Sequence, residues 1–485
     1  EEIQTGRSPK PPIGRVATTP LASGKTLLLR PNIDTLDHDE SRRQTLQSQP
    51  AAPDLPTRFT HGTALLAHQH EGLAWLQHLH RLRASHQVRG AVLADDMGLG
   101  KTLQLLSFMA RLNERQPHGD PMLVVAPVSL LENWKDELDK FFQPGTLPVL
   151  TAYGDALKTL RVPREAIDER LRTEDGLVRF LQPNWIGSAR LVLTTYETLR
   201  DLEFSFAAQR WSVMVCDEAQ RIKNPAAMVT RAAKKQNADF RIACTGTPVE
   251  NTLADLWCLF DFIQPGLLGT LNAFGRRYRK PIEARTEEEQ ARVEELRARI
   301  APQILRRTKA EVAKDLPRKQ VDAACSRLPL STEQRRLYAQ AIHGFKARHD
   351  PGAVTPFRNH LSLLHYLRLI CTDPCRPGLT AFKPEPIAVY RAKAPKLDWL
   401  LKQLDRIRMR QEKVIVFCEF RNIQRLLQHY IAEVFGLRAD IINGDTSAAV
   451  GHEASRQKRI KAFQSQPGFG VIILSPVAVG FGVNI

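Results

Sequence analysis

Gly100, Lys101 and Thr102 are adjacent residues of the types needed to hold a nucleoside triphosphate. Glycines at 98 and 100 allow backbone angles that turn successive N–H groups round a phosphate. The Lys101 ammonium can meet the outer phosphates, and the Thr102 hydroxyl can serve Mg²⁺. These residues close the stretch from Val92 to Thr102, so Asp96, Met97, Gly98, Leu99, Gly100, Lys101 and Thr102 form a candidate nucleotide-binding turn. The spacing departs from the full phosphate-loop pattern at its first position, where Asp95 stands in place of glycine.

A second set lies downstream. Residues 211–216 read as a buried strand that stops at Asp217-Glu218-Ala219-Gln220. Carboxylates at the carboxyl end of a strand sit where open α/β sheets bind ligands. Asp217 suits a hold on Mg²⁺, Glu218 suits orientation and deprotonation of the water that attacks the terminal phosphate, and Gln220 joins them in the catalytic set. An acidic pair after a strand can equally be a helix N-cap. Its pairing with Gly100-Lys101-Thr102, each set after its own apolar strand, favours the catalytic reading.

Parallel strands with crossover helices would be needed to position both sets, and the chain carries that alternation. Helix 65–82, strand 90–94, helix 100–113, strand 122–126, helix 129–142 and strands 190–194, 211–216 and 240–244 are expected in a first lobe, residues 61–265. Residues 266–395 change to charged helical runs, with a capping box at Ser331 and Gln334. A second alternation follows within 396–485: strand 413–418, helix 422–434, strand 438–442, helix 453–464 and strand 470–474. Residues 1–60, punctuated by proline and glycine, read as the flank of a preceding domain and a candidate contact for other proteins. The expected fold class is therefore α/β, two parallel-sheet lobes, the second incomplete, with helical insertions between them.

Composition narrows the partners. The 485 residues include 69 Lys and Arg against 52 Asp and Glu, a net charge of +17 spread along the chain, which favours a basic groove for a polyanion. No apolar stretch approaches the roughly 20 residues of a membrane helix, and no signal segment opens the sequence, which lacks an initiator Met and reads as a piece of a longer chain. The 7 cysteines contain no C-x-x-C pair and suit buried thiols in a reducing compartment. Cys371 and Cys375 lack a second Cys/His pair at ligand spacing, and no zinc site is expected.

Further segments fall into one order: Gln69 with Glu71-Gly72; Asp95 to Thr102; Val125 to Trp134; Leu193 to Thr198; Asp217 to Gln220 with Arg221 to Asn224; Cys244 to Asn251; Ile304 to Lys309 with Leu316-Pro317; and Val414 to Phe417. From about residue 60 onward this order closely resembles the Swi/Snf-type ATPases of helicase superfamily two. The resemblance implies two RecA-like lobes that clamp ATP and Mg²⁺ and move along one strand of double-stranded DNA without separating the strands. By position Gln69 would meet the adenine edge, and Thr245 and Thr247 would couple nucleotide state to DNA grip. Pro127, Ser129, Thr194 and Thr195 would contact the tracked backbone, and Trp134 reads as a core aromatic. Arg306-Arg307 would brace the lobes or meet phosphate, with Arg307 among the candidate nucleic-acid or coupling residues.

Two departures from the family pattern matter. The turn Ser475 to Asn484 lacks the usual threonine and lysine, leaving Ser475 and Gly480 as candidate phosphate contacts and Gly482 as a candidate nucleotide contact. The sequence also stops at Ile485, before the segment where such proteins carry the arginines that reach the terminal phosphate. This stretch alone is therefore expected to bind ATP and DNA but hydrolyse ATP poorly, with a weakly ordered second lobe. A strand-separating helicase, a restriction-type motor and a nucleotide-gated DNA-binding scaffold without turnover are the alternatives. The composition suggests a bacterial cytoplasm, associated with the nucleoid, or a nucleus if the source is eukaryotic.

Overall fold

The computed structural model describes residues 17–20, 26–29, 45–46, 52–85, 88–163, 180–249, 252–312, 321–322, 327–347, 357, 359–374, 384–446 and 456–476. Its strands, in chain order, are β1 (Ala17–Pro20), β2 (Thr26–Leu29), β3 (Gly90–Leu93), β4 (Met122–Val125), β5 (Val149–Ala152), β6 (Leu191–Thr194), β7 (Arg210–Asp217), β8 (Asn237–Cys244), β9 (Ile304–Leu305), β10 (Lys413–Phe417), β11 (Asp440–Ile442) and β12 (Gly470–Leu474). Strands β1 and β2 form a separate antiparallel pair.

The first lobe is built on a sheet of 7 strands in the order β5-β6-β4-β7-β8-β3-β9. Every pairing within it is parallel. Its central strands carry apolar runs, buried from Val213 to Cys216 and from Ile242 to Cys244, because helices cover both faces. Alternate side chains separate into two cores: Ala91, Leu93, Phe240, Ile242 and Cys244 pack with helices Ala67–Arg81, Lys101–Arg115 and Val128–Phe141. Val92, Ala94, Trp211, Met214 and Ala243 pack on the other face with Tyr196, Phe260 and Phe262. This period of two places the strand ends, and not their middles, at the open edge where the candidate residues lie.

The second lobe is a small parallel sheet in the order β10-β12-β11. Its core joins Val416, Val471 and Ile473 to helices Pro395–Met409 and Arg421–Phe435, and begins with Tyr390, just ahead of the expected boundary at 396. Ile442, Ile460, Phe463, Ile472 and Leu474 fill the opposite face. Between the lobes run helices Glu289–Ile300, Thr332–Lys346 and His360–Ile370. The capping box at Ser331 is present, with Ser331 N–H donating to Gln334 Oε1 at 3.1 Å and Gln334 N–H to Ser331 Oγ at 3.2 Å.

Several features differ from the expected organisation: β1, β2 and β5 lie where no strand is expected, β5 pairing with β6 at the edge of the first sheet. Strand β9 falls inside the segment read as helical linker, yet it extends the first sheet by pairing Ile304 with Val92 and Leu305 with Leu93. Strand β7 runs one residue further at each end than expected and so carries Asp217 within it.

Candidate nucleotide-binding site

Strands β7, β8 and β3 lie side by side, and their carboxyl ends bring the two sets of chemical residues together. After β3 the chain turns through Asp95–Gly100 into helix Lys101–Arg115. Gly98 and Gly100 adopt φ of +81° and +72°, in the left-handed region that a side chain disfavours. At Gly100 a Cβ would also stand 2.2 Å from Gln69 Nε2, so a side chain there would have to displace that amide. Lys101 Nζ donates to the carbonyls of Asp95 at 2.7 Å and Asp96 at 3.3 Å, drawing the ammonium across the mouth of the turn. The half-buried Thr102 makes no side-chain hydrogen bond among the described residues. Its hydroxyl is therefore a free oxygen ligand.

Asp95, the departure from the glycine pattern, has a structural reason. It is fully buried and takes Arg307 Nε at 3.0 Å, the Arg307 backbone N–H at 3.0 Å, and Arg307 Nη2 in close contact. Arg307 also bonds the His68 carbonyl and, at 3.1 Å, Gln104 Oε1. A buried carboxylate paired with a forked guanidinium is a rigid post, and here it supports the phosphate turn from below. Arg307 is thus committed inside the first lobe rather than offered to nucleic acid.

At the end of β7, Asp217 Oδ2 accepts the Trp134 indole N–H at 2.9 Å, Oδ1 accepts the Glu218 N–H at 3.0 Å, and its carbonyl accepts the Tyr196 hydroxyl at 2.7 Å. Those bonds fix the carboxylate while leaving lone pairs for a cation. Glu218 follows at φ +50°, a left-handed conformation rarely adopted by a residue with a side chain and typical of functional positions. The chain then enters a tight turn, Ala219–Ile222, which returns the Gln220 amide to Glu218 Oε2 at 2.7 Å. Burial pushes the Glu218 carboxyl above its ordinary range, with the Gln220 hydrogen bond and the Lys101 charge opposing and Asp217 reinforcing the rise.

Thr245 joins the strand ends. Its N–H donates to the Leu93 carbonyl at 3.1 Å, its hydroxyl donates to Gln220 Oε1 at 2.8 Å and accepts from the Thr247 N–H at 3.1 Å. One hydrogen-bonded chain therefore runs Glu218–Gln220–Thr245–Thr247, from the buried carboxyl to an exposed residue.

Other expected residues are arranged differently. Gln69 is buried and caps its own helix, accepting Leu66 N–H at 2.9 Å, while its Nε2 lies 3.4 Å from the Leu99 carbonyl. It lines a cavity of about 360 Å³ with Gly100, Asp136, Glu137 and Lys140 of the first lobe and Ile460, Lys461 and Gln464 of the second. The lobes also meet through Lys461 Nζ and Asp136 at 2.8 Å. Thr194 is fully buried and its hydroxyl donates to the Ala152 carbonyl at 2.8 Å, tying β6 to β5. The Thr195 hydroxyl accepts the Thr198 N–H at 3.0 Å as the cap of helix Tyr196–Asp201, so it too is engaged internally. Pro127 is buried and Ser129 half-buried at the start of helix Val128–Phe141. Ser475 is buried at the end of β12, its N–H bonded to the Ile442 carbonyl at 2.8 Å. Gly480 and Gly482 lie outside the described residues.

Trp134 is a core aromatic, as expected, and also a ligand of Asp217. Its signal in the sequence is general: a buried indole N–H requires an acceptor. The Thr102 hydroxyl and the Asp217 carboxylate are hard oxygen donors of the kind that Mg²⁺ takes alongside phosphate and water.

The SNF2-related domain family matches residues 68–375, which include the phosphate turn, the Asp217–Glu218 pair and Thr245. This chain belongs to the SNF2-related domain family. Zorya protein ZorD of Escherichia coli is 50% identical to it over 463 residues, 95% of this chain and 42% of that protein. The putative ATP-dependent helicase/translocase YwqA of Bacillus subtilis is 31% identical over 455 residues, 93% of this chain and 45% of that protein. The SNF2-related chain thus spans less than half the length of these curated relatives. The solved SWI2/SNF2 ATPase core of Sulfolobus solfataricus in complex with dsDNA is 28% identical, with a TM-score of 0.45, covering 90% of this chain and 82% of that one.

Proposed function

We propose that this SNF2-related chain is the ATPase motor of a protein that moves along double-stranded DNA without separating its strands. The observation that carries the reading is the junction of the three strand ends, where Thr245 ties the Lys101 turn to the Asp217–Glu218–Gln220 set. Lys101 would hold the outer phosphates of ATP. Thr102 and Asp217 would hold Mg²⁺, which supplies charge neutralisation at the phosphates. Glu218, its carboxyl raised by burial and held by the Gln220 amide, would orient water and accept its proton. The cavity beside Gln69 and Gly100 is large enough for a base and sugar.

Thr245 sits where a change at Glu218 could be passed to the exposed Thr247 through three hydrogen bonds, which supports a coupling role for both threonines. The net charge of +17 supports a sequence-independent hold on DNA phosphates. The Bacillus subtilis relative YwqA is named a putative ATP-dependent helicase/translocase, which supports translocation. ATP turnover with and without duplex DNA, alongside a strand-displacement assay, tests it. Stimulation by duplex without displacement is expected. Release of the displaced strand would favour a helicase, and no turnover under any condition a nucleotide-gated scaffold.

A further inference from the structure

Strand β9 brings to the first lobe more than an extra edge. The segment that follows it is laced to the residues before the phosphate turn: Ala94 N–H donates to the Leu305 carbonyl at 2.7 Å and Asp96 N–H to the Arg307 carbonyl at 3.0 Å. In return, Arg307 N–H donates to Asp95 Oδ1 at 3.0 Å and Lys309 N–H to Asp96 Oδ2 at 3.0 Å. With its backbone held so, Lys309 extends its side chain over the turn itself. The Lys309 ammonium lies 3.2 Å, and its Cε 3.3 Å, from the position a Cβ would take on Gly98. Lys309 is exposed, and among the described residues its ammonium has no hydrogen-bond or ion-pair partner.

The two lysines at this turn differ in what engages them. Lys101 donates to the carbonyls of Asp95 and Asp96, whereas the Lys309 ammonium stands over the glycine without a hydrogen-bond or ion-pair partner among the described residues. An exposed cation standing over the turn, beside the start of helix Lys101–Arg115, makes that place favourable to an anion. We propose that Lys309 is a second phosphate-binding residue of the nucleotide site, delivered across the turn from a segment more than 200 residues downstream of it.

The inference rests on the nucleotide-site reading above, and titration of the full chain with MgATP separates the two. Lys101→Ala is expected to abolish binding. Lys309→Ala is expected to weaken it about tenfold, the size of one partly exposed charge-assisted hydrogen bond, and Lys309→Arg to restore most of the loss. Thermal unfolding without nucleotide should be the same for Lys309→Ala and the parent, because an exposed, unpaired ammonium supports nothing in the empty protein. Lys309→Ala at parental affinity, with Lys101→Ala deficient, overturns the Lys309 assignment alone. Parental affinity in both variants overturns the site itself. A loss of affinity matched by lost stability of the empty protein, and not rescued by arginine, would make Lys309 a structural support and also overturn the inference.

Discussion

Replacing Arg307 by alanine should destabilise the first lobe rather than weaken DNA binding directly. The guanidinium is 11% exposed and its partner Asp95 is not exposed at all. Removing it leaves a fully buried carboxylate with only the residue 307 backbone N–H and, at 3.4 Å, the Gln104 amide. It also strips acceptor contacts from the His68 carbonyl and Gln104 Oε1. Breaking a buried pair from one side typically costs about 3–5 kcal/mol. For a lobe of this size each kcal/mol lowers the midpoint by roughly 2–4 °C, so Arg307→Ala should fall by roughly 6–20 °C in a thermal melt. Arg307→Lys keeps the charge but not the fork and should fall between the two. In the Asp95→Ala/Arg307→Ala double variant the losses should be clearly less than additive, since each single change already orphans the other partner. An unchanged midpoint for Arg307→Ala, together with lowered DNA affinity, would refute the reasoning and return Arg307 to the nucleic-acid surface.

Thr245→Val keeps side-chain shape but leaves Gln220 Oε1 without its donor, a local cost of about 1–3 kcal/mol; ATP affinity should hold while DNA-stimulated turnover drops at least about tenfold, as steady-state kinetics would show. Burial, with the nearby Asp217 charge, pushes the Glu137 carboxyl up to about 7, against a Lys140 charge that lowers it. The folded protein therefore holds this proton after the unfolded chain has lost it: the stability it contributes is full below pH 4.5 and disappears as pH rises to about 7. Glu137→Gln should then match the parent at pH 4 and be more stable at pH 8, by on the order of 3 kcal/mol, in denaturant unfolding at the two pH values. Duplex DNA affinity should fall steeply with salt and vary little with sequence, which a salt series on two unrelated duplexes would measure.

Strands β3, β4, β6, β7 and β8 of the first lobe, its phosphate turn and its acidic strand end were legible because each is an apolar run broken by residues with one chemical use, whereas the half-buried edge strand β5 lacks such a run. Strand β9 was not: Ile304 and Leu305 are two apolar residues before a basic run, and only their pairing with Val92 and Leu93 makes them a strand. Asp95 read as a flaw in a pattern until Arg307, distant in sequence, was beside it. Thr194 read as an offered hydroxyl because sequence does not tell whether a strand-end side chain meets solvent or the neighbouring strand. The chain Glu218–Gln220–Thr245 was visible as separate residues; their contact depends on the order of β7 and β8 in the sheet.

Glu218→Gln tests the central claim most directly, measured as MgATP affinity and DNA-stimulated phosphate release. The account predicts parental ATP affinity with release lowered by about 10²-fold or more, the usual contribution of a positioned general base. Phosphate release at the parental rate would contradict it, and with it the assignment of this strand-end carboxyl as the group that acts on water.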